Sequence, residues 1–441
     1  MADGTPSDGE RVWIVNHYAS APDRPAGSRH FDLARNLSAR GHRVTVFAAG
    51  FNHETGREER LTRGRLYRSE RFGGVEFVWL RTLPYRGNTW RRRLNMLSFL
   101  AAFLVVQTRW RRPDVIVGST VHPFAAYGGW LVARLRGARF VFEIRDLWPQ
   151  TLVDLGAMRV GSPGERLLRY LEAFLVRQAS VVITLLPGMR DYVAERRLPR
   201  DHVVYIPNGV DLAAFDAQRE AGAGAPGTVR RGLEEIRRLS EEGRFVIGYV
   251  GAFGRVNRLD IVVRAAAIAD QQAPGRVGVV LIGDGPERAN LERLAEAVRA
   301  VAIGPAIPKR FVPAILRALG GTVVHTTATP VYRYGISFNK LFEYMAAERP
   351  VVFACGSAYD PVAATGAGIT VPPDDPEGLA RAFLELAGAT AQARAAMGAA
   401  GRAYVAREHS IEHLAETFAM VVEGRLPADP GATSAHASRT T

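Results

Sequence analysis

The sequence contains a single cysteine, Cys355, among 441 residues, so no disulfide can form within the chain. This excludes the disulfide-stabilised folds of small secreted proteins. Cys355 follows an apolar run, and we expect it to be a buried hydrophobic residue rather than a nucleophile. Long apolar runs are also absent, because the longest, residues 94–106, is shorter than a membrane span. The polar segment 1–10 has no apolar stretch of the kind that signal peptides require.

Positive charge, in contrast, is in excess. The formal net charge is +13, and 47% of the residues are hydrophobic, enough for two α/β domains with their own cores. Such a charge favours an anionic partner, which is nucleic acid, anionic lipid or a phosphate-bearing substrate. The sequence shows neither zinc-finger spacing nor an RRM-type aromatic motif, so we expect no nucleic acid among its partners.

Apolar runs of strand length alternate with helical patterns along the chain. One series begins at residues 11–16 and ends at 203–206, and a second begins at 245–250 and ends at 368–371. Continuous apolar runs are typical of parallel strands that are covered on both faces. The sequence therefore predicts an α/β fold of two doubly wound, Rossmann-like domains facing a central cleft, with ligands at the carboxyl ends of the strands.

Shifts in composition give the predicted domain boundaries. The tail is low in apolar residues, and the stretch after the first strand series is rich in charge, glycine and alanine. The last helical pattern is amphipathic, and we expect it to pack back on the N-terminal domain. The predicted segments are a disordered N-terminus (1–10), an N-terminal domain (11–208), a C-terminal domain (209–406) with a solvated charged insertion (216–243), a final helix (407–425) and a disordered tail (426–441).

Several motifs together resemble glycosyltransferase family 4, the retaining enzymes of the GT-B fold. Their order and spacing match that family over residues 11–423, and the run 142–149 (FEIRDLWP) resembles the branch that builds O-antigens and capsules, including N-acetylfucosaminyl-type transferases. The motifs are residues 26–29 (AGSR) with 40–44 (RGHRV), 207–211 (PNGVD), 283–287 (GDGPE) and 337–347 (SFNKLFEYMAA) before 349–352 (RPVV).

The resemblance implies a fold, an activity and a cellular place. It implies a GT-B enzyme that moves a sugar, an N-acetylated hexosamine or deoxyhexosamine, from a UDP-sugar donor to a polyprenyl-diphosphate-linked saccharide in surface polysaccharide assembly. Anomeric configuration would be retained. The expected location is the cytoplasm, with peripheral binding to the cytoplasmic face of the plasma membrane.

The resemblance also assigns a donor site whose residues, apart from Gly27, lie in the second half of the chain. Glu343 is expected to accept two hydrogen bonds from the ribose diol, although a carboxylate early in a helix can also serve charge compensation. The Arg and Lys that hold the diphosphate in the family fall on Ala252 and Asn257, so our hypothesis is that Arg255, Arg258 or Lys340 supplies the charge instead. The other predicted donor-site residues are Gly27, Gly251, Gly283, Asp284, Gly285, Ser337, Asn339 and Leu341.

In the first half, polar residues follow two predicted strands. His122 begins a helix and matches a family histidine near the donor sugar, although a lone histidine is often structural. Glu143, Arg145 and Asp146 suit sugar hydroxyls or an acceptor phosphate, or else form an internal salt-bridge network. We predict catalytic roles for His122, Glu143 and Asp146, and acceptor contacts for Arg145 and Trp148.

No Asp-x-Asp pair at a strand end is suited to holding a metal ion. Asp374 and Asp375 lie in a loop bracketed by prolines, and we expect a helix cap there. We therefore predict neither a metal nor a cofactor, with helix N-termini and cationic side chains stabilising the leaving diphosphate.

The apolar run 94–106 has tryptophan and arginine at both ends, in residues 90–93 and 109–112. Such a segment suits the surface of an anionic bilayer, whereas its place between two strands also suits a buried helix. We predict partial membrane contact through Arg91, Arg92 and Arg93.

Three other functions remain open. A UDP-sugar 2-epimerase shares the GT-B fold but needs no acceptor. A transferase could act on a soluble acceptor, such as a natural product. A nucleotide-sugar-binding protein or membrane scaffold without catalytic activity is left open by the missing Arg and Lys. Turnover of the donor, and its dependence on an acceptor, discriminates among them.

Overall fold

A computed structural model describes residues 9–23, 29–53, 55–87, 90–218, 222 and 224–427. The described residues form two compact units, one of residues 9–207 and 411–427 and the other of residues 208–410. Gly27 and most of the two predicted disordered ends lie outside the described residues.

The first unit is built on an eight-stranded sheet with flanking helices. The strands of this sheet are β1 (Arg11–Val15), β2 (Arg43–Ala49), β5 (Tyr67–Phe72), β6 (Val75–Leu80), β7 (Val115–Ser119), β8 (Arg139–Ile144), β9 (Val181–Thr184) and β10 (Val203–Tyr205). Strands β3 (Phe51–Asn52) and β4 (Arg57–Glu58) pair with each other in a separate antiparallel sheet. The first six helices of this unit are α1 (Arg29–Ala39), α2 (Trp90–Val106), α3 (Pro123–Arg136), α4 (Gln150–Asp154), α5 (Pro163–Gln178) and α6 (Met189–Glu195). The strand order is β10-β9-β8-β7-β1-β2-β6-β5, and every neighbouring pair is parallel except β5 with β6.

The central strand β1 is covered on both faces, which explains its continuous apolar run. Ile14 belongs to a buried cluster with Leu37 of α1. Trp13, which alternates with it, packs edge-on against Phe47 of β2 at 5.0 Å between ring centroids, and Phe47 in turn contacts Phe103 of α2. Helices on both sides of the sheet therefore bury the apolar side chains of this strand.

The second unit contains a six-stranded sheet in which all neighbouring strands are parallel. Its strands are β11 (Phe245–Val250), β12 (Val277–Ile282), β13 (Val301–Gly304), β14 (Gly321–His325), β15 (Val351–Ala354) and β16 (Gly368–Val371). Its helices are α7 (Leu212–Ala217), α8 (Gly227–Glu241), α9 (Leu259–Gln272), α10 (Arg288–Glu296), α11 (Val312–Ala318), α12 (Asn339–Ala346), α13 (Pro361–Thr365), α14 (Pro376–Gly388) and α15 (Ala391–Glu408). The strand order β13-β12-β11-β14-β15-β16 places β11 and β14 at the centre.

The charged segment predicted as a solvated insertion, residues 216–243, differs from that expectation. Most of it is α8, which packs against β11, β12 and β13. Val229, Ile236 and Leu239 are buried there, while Arg238 forms ion pairs on the opposite, solvated face. The apolar residues recur at the spacing of an amphipathic helix, so the high charge of the segment concealed a helix of the core.

The last helix is α16 (Ile411–Val422), and its contacts place it in the first unit. It packs against α1, and Leu414 and Phe418 join the core cluster beneath that helix. Arg139 at the start of β8 donates to the carbonyl oxygens of Val421 and Val422. Within the described part of the chain, no helix combines the length and the apolarity needed to cross a bilayer.

Candidate functional site

At the carboxyl end of β8, Glu143 is the centre of a buried polar network. Its side chain is 1% exposed. Arg29 Nε donates to Oε1 at 3.0 Å, His30 Nε2 lies 2.7 Å from Oε2, and Ser119 Oγ donates to Oε2 at 2.5 Å. Burial alone would raise the pKa of Glu143, but the charges of His30 and Arg29 hold that pKa well below its usual range.

This network matches the salt-bridge alternative for Glu143, because both carboxylate oxygens have internal partners. A catalytic role for Glu143 stays a prediction. Asp146, three residues later, is an exposed residue, but desolvation of its carboxyl group raises the pKa of that group. Arg145 and Trp148 are partly exposed. Of the polar residues after β8, these three therefore remain accessible to a ligand.

His122 is fully buried at the N-cap of α3. Its Nε2 lies 2.8 Å from His17 Nδ1. Burial, followed by the charge of Arg92, lowers the pKa of His122 to about 3, so the ring is neutral at physiological pH. Its Nδ1 does not cap the helix and makes no hydrogen bond to any described residue. A buried nitrogen without a partner is uncommon and marks a candidate ligand contact.

The charge of Arg92, on α2, affects the two buried histidines. Arg92 is only partly exposed, and its charge lowers the pKa values of both His17 and His122 after burial has done so. Its neighbours Arg91 and Arg93 are exposed. The three arginines predicted to contact a membrane are therefore not equivalent, because Arg92 also acts electrostatically on the histidine pair.

In the second unit, the loops after β11 and β12 pack backbone against backbone. A Cβ on Gly283 would lie 1.8 Å from the carbonyl oxygen of Gly251, and one on Gly285, whose φ is +155°, would lie 2.7 Å from that of Phe253. The Phe253 amide also donates to the Asp284 carbonyl at 2.8 Å. The glycines therefore serve the contact between the two loops and fix the backbone of both.

We expect Gly283→Ala to destabilise the protein by roughly 1–3 kcal/mol, because the added methyl group meets rigid backbone. Gly254→Ala is the matched control, since its Cβ would find its nearest neighbour at an ordinary 3.5 Å. Calorimetric unfolding of both variants measures the difference. Equal stability of the two variants would show that the loops can separate without cost.

Two of the three predicted diphosphate-binding cations already have carboxylate partners. Arg255 is 86% exposed and lies 3.3 Å from Glu287. Arg258 pairs with Asp260 at 3.0 Å and with Asp374 at 3.3 Å. Both arginines line an open cavity of about 310 Å³ together with Asp260 and Glu287. Opposite charges therefore offset one another there, and neither arginine presents an uncompensated positive charge.

Lys340, the third candidate, has no carboxylate partner among the described residues. Its Nζ donates to Tyr249 OH at 2.9 Å and to Asn257 Oδ1 at 2.7 Å. Tyr249 OH and Asn257 Nδ2 both donate to the Ala252 carbonyl, at 2.8 and 2.9 Å. The ammonium group thus lies beside Ala252 and Asn257, the two positions on which the family's Arg and Lys fall. Burial lowers the pKa of Lys340 to about 7.

Glu343 follows Lys340 on α12 and is paired with a residue that the sequence patterns did not single out. Its Oε1 lies 3.4 Å from Lys309 Nζ, and its side chain is 18% exposed. A compositional signal could have found Lys309, because Lys309 and Lys340 are the only lysines among 57 Lys and Arg residues. Both lysines lie beside residues predicted to hold the donor.

The other predicted residues around α12 have different contacts. Ser337 Oγ accepts a hydrogen bond from the Asn208 amide at 2.9 Å, so this side chain secures the turn at the start of the second unit. Leu341 is fully buried in the core. Asn339 is exposed at the first position of the helix, and Asp284 is exposed after β12. The Leu341 side chain is therefore inaccessible to a ligand, whereas Asn339 and Asp284 are accessible. A ligand contact of the partly exposed Ser337 side chain stays a prediction.

Asp375 caps α14 as predicted, since its Oδ1 accepts a hydrogen bond from the Gly378 amide at 2.8 Å. Within the described ranges, no group of three or more His, Cys, Asp or Glu side chains is arranged to hold a metal ion.

One side of α2 exposes apolar side chains to solvent. Trp90 is 63%, Leu94 39%, Leu97 44% and Val105 54% exposed. These positions recur at intervals that fall on one face of a helix. The apolar residues on the other side of α2 are buried, so the helix is apolar on both sides. Trp110, predicted as a second anchor, instead donates to Glu76 at 3.0 Å and is partly buried.

Two family models match the chain in succession. The model for the glycosyl transferase 4-like domain matches residues 26–209, and that for glycosyl transferases group 1 matches residues 244–388. Together they cover about three quarters of the chain.

Two bacterial glycosyltransferases are similar to this chain in sequence. The chain is 28% identical over 273 residues to the Escherichia coli K12 glycosyl transferase WcaI, named for colanic acid biosynthesis, and the match covers 60% of this chain and 63% of WcaI. It is 25% identical over 304 residues to the Pseudomonas aeruginosa glycosyltransferase WbjE, over 66% of this chain and 71% of WbjE. The chain thus matches less than two thirds of the length of WcaI.

Solved structures share the fold at low identity. Sucrose-phosphate synthase from Thermosynechococcus elongatus has a TM-score of 0.68 at 18% identity, over 94% of this chain and 98% of that one. Anabaena HepE in complex with UDP and glucose has a TM-score of 0.63 at 14% identity, over 94% of this chain and 99% of HepE. These likenesses confirm the predicted fold class, two Rossmann-like α/β domains of the GT-B type.

Proposed function

Because the chain belongs to the glycosyltransferases, with a glycosyl transferase 4-like domain followed by a group 1 domain, we propose that it transfers a sugar from a UDP-sugar to a polyprenyl-diphosphate-linked saccharide. In this reaction the bond from the sugar C1 to the donor diphosphate breaks, and a bond from C1 to an acceptor oxygen forms on the same face. The leaving phosphate takes the hydroxyl proton. The sugar is an N-acetylated hexosamine or deoxyhexosamine.

The observation that carries the proposal is the position of Lys340. A leaving diphosphate gains negative charge in the transition state, and a cation held in a partly buried site stabilises that charge without rearrangement. Lys340 is an uncompensated cation fixed by Tyr249 and Asn257 beside the loop after β11. A phosphate oxygen at this position would give the Lys340 ammonium group an ionic partner in place of its neutral partners Tyr249 and Asn257. This supports a diphosphate site that works without a metal.

Glu343 completes the proposed donor site. A carboxylate accepts two hydrogen bonds from a vicinal diol such as the ribose of a nucleotide. Lys309 holds this carboxylate in the ligand-free protein. The choice of uridine is supported by HepE, whose structures contain UDP, UDP with glucose, or UDP-glucose. The role in polysaccharide assembly is supported by the name of WcaI.

The test is turnover of the donor by the full chain. A panel of UDP-sugars is incubated in EDTA with vesicles that contain a polyprenyl-diphosphate saccharide, and the release of UDP and the anomeric configuration of the product are measured. Release that depends on the lipid-linked acceptor, with retained configuration, is expected. Transfer to a soluble acceptor alone, epimerisation of the donor at C2, or binding without turnover would each replace the proposal with one of the alternative functions.

A lipid-linked acceptor requires the protein to reach a bilayer, and we propose that the exposed face of α2 does so. Trp90, Leu94 and Leu97 supply apolar and aromatic side chains, and Arg91 and Arg93 supply charge beside them. Interfacial helices bind membranes through this combination. Helices α3 and α5, which pack beside one another, also expose apolar residues, namely Leu135, Leu167 and Tyr170.

We expect the double variant Arg91→Glu, Arg93→Glu to bind anionic vesicles at least roughly 30-fold more weakly, since each basic residue near the surface contributes about 1 kcal/mol. The matched control is Arg231→Glu, Arg237→Glu, which changes the net charge equally on the exposed side of α8 in the second unit. Sedimentation with vesicles measures both. Equal loss in the two variants would mean that net charge alone drives binding, and unchanged binding of the first would remove α2 from the interface.

A further inference from the structure

The backbone position of Glu343 is fixed by its neighbours on α12. Tyr344 is fully buried, and its hydroxyl group accepts a hydrogen bond from the Val250 amide at 2.7 Å and donates to the Val250 carbonyl at 2.9 Å. Lys340, one turn earlier, donates to Tyr249 OH in the same strand at 2.9 Å. Both anchors lie in β11, so the helix cannot shift along this strand without breaking hydrogen bonds of buried groups.

The side chain of Glu343, in contrast, is held at a single point. It is 18% exposed, and Lys309 Nζ lies 3.4 Å from its Oε1. Among the residues that the structure describes, no other side chain forms an ion pair with this carboxylate. A glutamate side chain without a partner samples several rotamers, and fixing one of them costs free energy. Lys309 is therefore the group that orders this carboxylate before a ligand arrives.

Lys309 reaches the carboxylate from a separate element of the second unit. It follows β13, at the edge of the sheet, whereas α12 follows the central strand β14 along the chain. A carboxylate offers about four lone pairs on its two oxygens. Lys309 occupies one of them on Oε1, so Oε2 and the second lone pair of Oε1 are left for hydroxyl groups. The ion pair and a bound vicinal diol are thus compatible with one another.

We propose that Lys309 is a positioning residue that stays paired with Glu343 in the complex and so determines how strongly the site selects a ribose over a 2′-deoxyribose. This inference rests on the proposed function, because it takes the ribose diol as the ligand of Glu343. A hydroxyl group that donates to an already ordered carboxylate gains more affinity than one that must first order it. Lys309 itself needs no contact with the nucleotide.

The ratio of the affinities for UDP and 2′-deoxy-UDP, measured by isothermal titration of the full chain, tests this role. The two nucleotides share base and diphosphate, so a general change in folding or charge cancels in the ratio. We expect a preference for UDP of roughly 10- to 100-fold in the wild type, as for a hydrogen bond to a charged group. In Lys309→Met the ratio should fall roughly 2- to 10-fold, because the ligand must then order the Glu343 side chain. Lys309→Arg should restore it.

Arg310→Met is the matched control, because it removes the same charge from the next residue, whose guanidinium lies over the Phe311 ring at 4.9 Å. Its ratio should equal that of the wild type. An equal fall in both variants, or an unchanged ratio in Lys309→Met, overturns the inference.

Glu343→Gln separates this inference from the proposed function. A ratio that falls in Glu343→Gln but not in Lys309→Met contradicts the role of Lys309 alone. A ratio that Glu343→Gln leaves at the wild-type value contradicts the proposed ribose contact of Glu343, and the role of Lys309 with it.

Discussion

Replacing Lys340 by methionine is expected to weaken UDP binding by roughly 10- to 100-fold. A hydrogen bond to a charged group contributes about 1.5–3 kcal/mol, and methionine keeps the length of the side chain without its charge. Lys340 is the predicted cation without a carboxylate partner among the described residues, so no described residue takes over its role. Isothermal titration with UDP in EDTA measures the change.

The affinity of this site for UDP is also expected to depend on pH, and the pKa of Lys340 sets the direction of the change. In the free protein Lys340 has a pKa of about 7 because it is buried, and a bound diphosphate would raise that pKa. Above pH 7 the free protein must take up a proton to bind UDP. Affinity should therefore fall about tenfold per pH unit from pH 7 up to the pKa of the complex, in a range where the UDP phosphates are already ionised. Below pH 7 Lys340 is protonated in both the free and the bound protein, so it adds no pH dependence to the affinity for UDP.

Arg255→Met is the matched control for Lys340→Met. It removes one cation from the loop after β11, which Lys340 of α12 contacts, but Arg255 is 86% exposed and already paired with Glu287. We expect its UDP affinity and its pH profile to stay close to wild type. If Arg255→Met lost as much affinity as Lys340→Met, the diphosphate would lie nearer the cavity that Arg255 lines.

Replacing Glu143 by glutamine is expected to lower the free energy of unfolding by about 3–5 kcal/mol. Glutamine keeps the shape of the side chain but leaves the buried Arg29 guanidinium without its ion pair, and an uncompensated buried charge has this cost. All six tryptophans lie in the first unit, between Trp13 and Trp148, so unfolding followed by tryptophan fluorescence reports this unit alone.

Asp146→Asn provides the control, because it makes the same chemical change three residues later at an exposed residue. It should alter stability by no more than about 0.5 kcal/mol. A loss of less than about 1 kcal/mol in Glu143→Gln would contradict the structural role of this carboxylate and restore it as a candidate for contact with substrate.

The fold was largely predictable, because its strands are continuous apolar runs and their helices alternate with them. Two elements differ from the prediction for clear physical reasons. The strand β5 (Tyr67–Phe72) is an edge strand with exposed and charged residues, so it lacks an apolar run. Helix α8 buries a narrow apolar stripe within a sequence of high charge, and the charge dominated the composition.

The candidate site was less predictable, because its contacts join residues distant in sequence. From the sequence, Arg255, Arg258 and Lys340 were equally good candidates for the cation that binds the diphosphate. They differ only in the side chains with which they pair in the structure. Those partners include Glu287, 32 residues from Arg255, and Tyr249, 91 residues from Lys340. No local pattern encodes such pairings. The ion pair of Glu143 could not be predicted from a local pattern either, since its partner Arg29 lies 114 residues before it.

The measurement that tests the central claim most directly is a pH titration of the two lysines in protein labelled with ¹³C at the lysine ε-carbon, with and without UDP. Because Lys309 and Lys340 are the only lysines, the spectrum contains two side-chain signals, and Lys340→Met removes one of them. We predict that this signal titrates with a pKa of about 7 in the free protein and at least one unit higher with UDP bound. A Lys340 signal that titrates at the same pH in both states would contradict its role in holding the diphosphate.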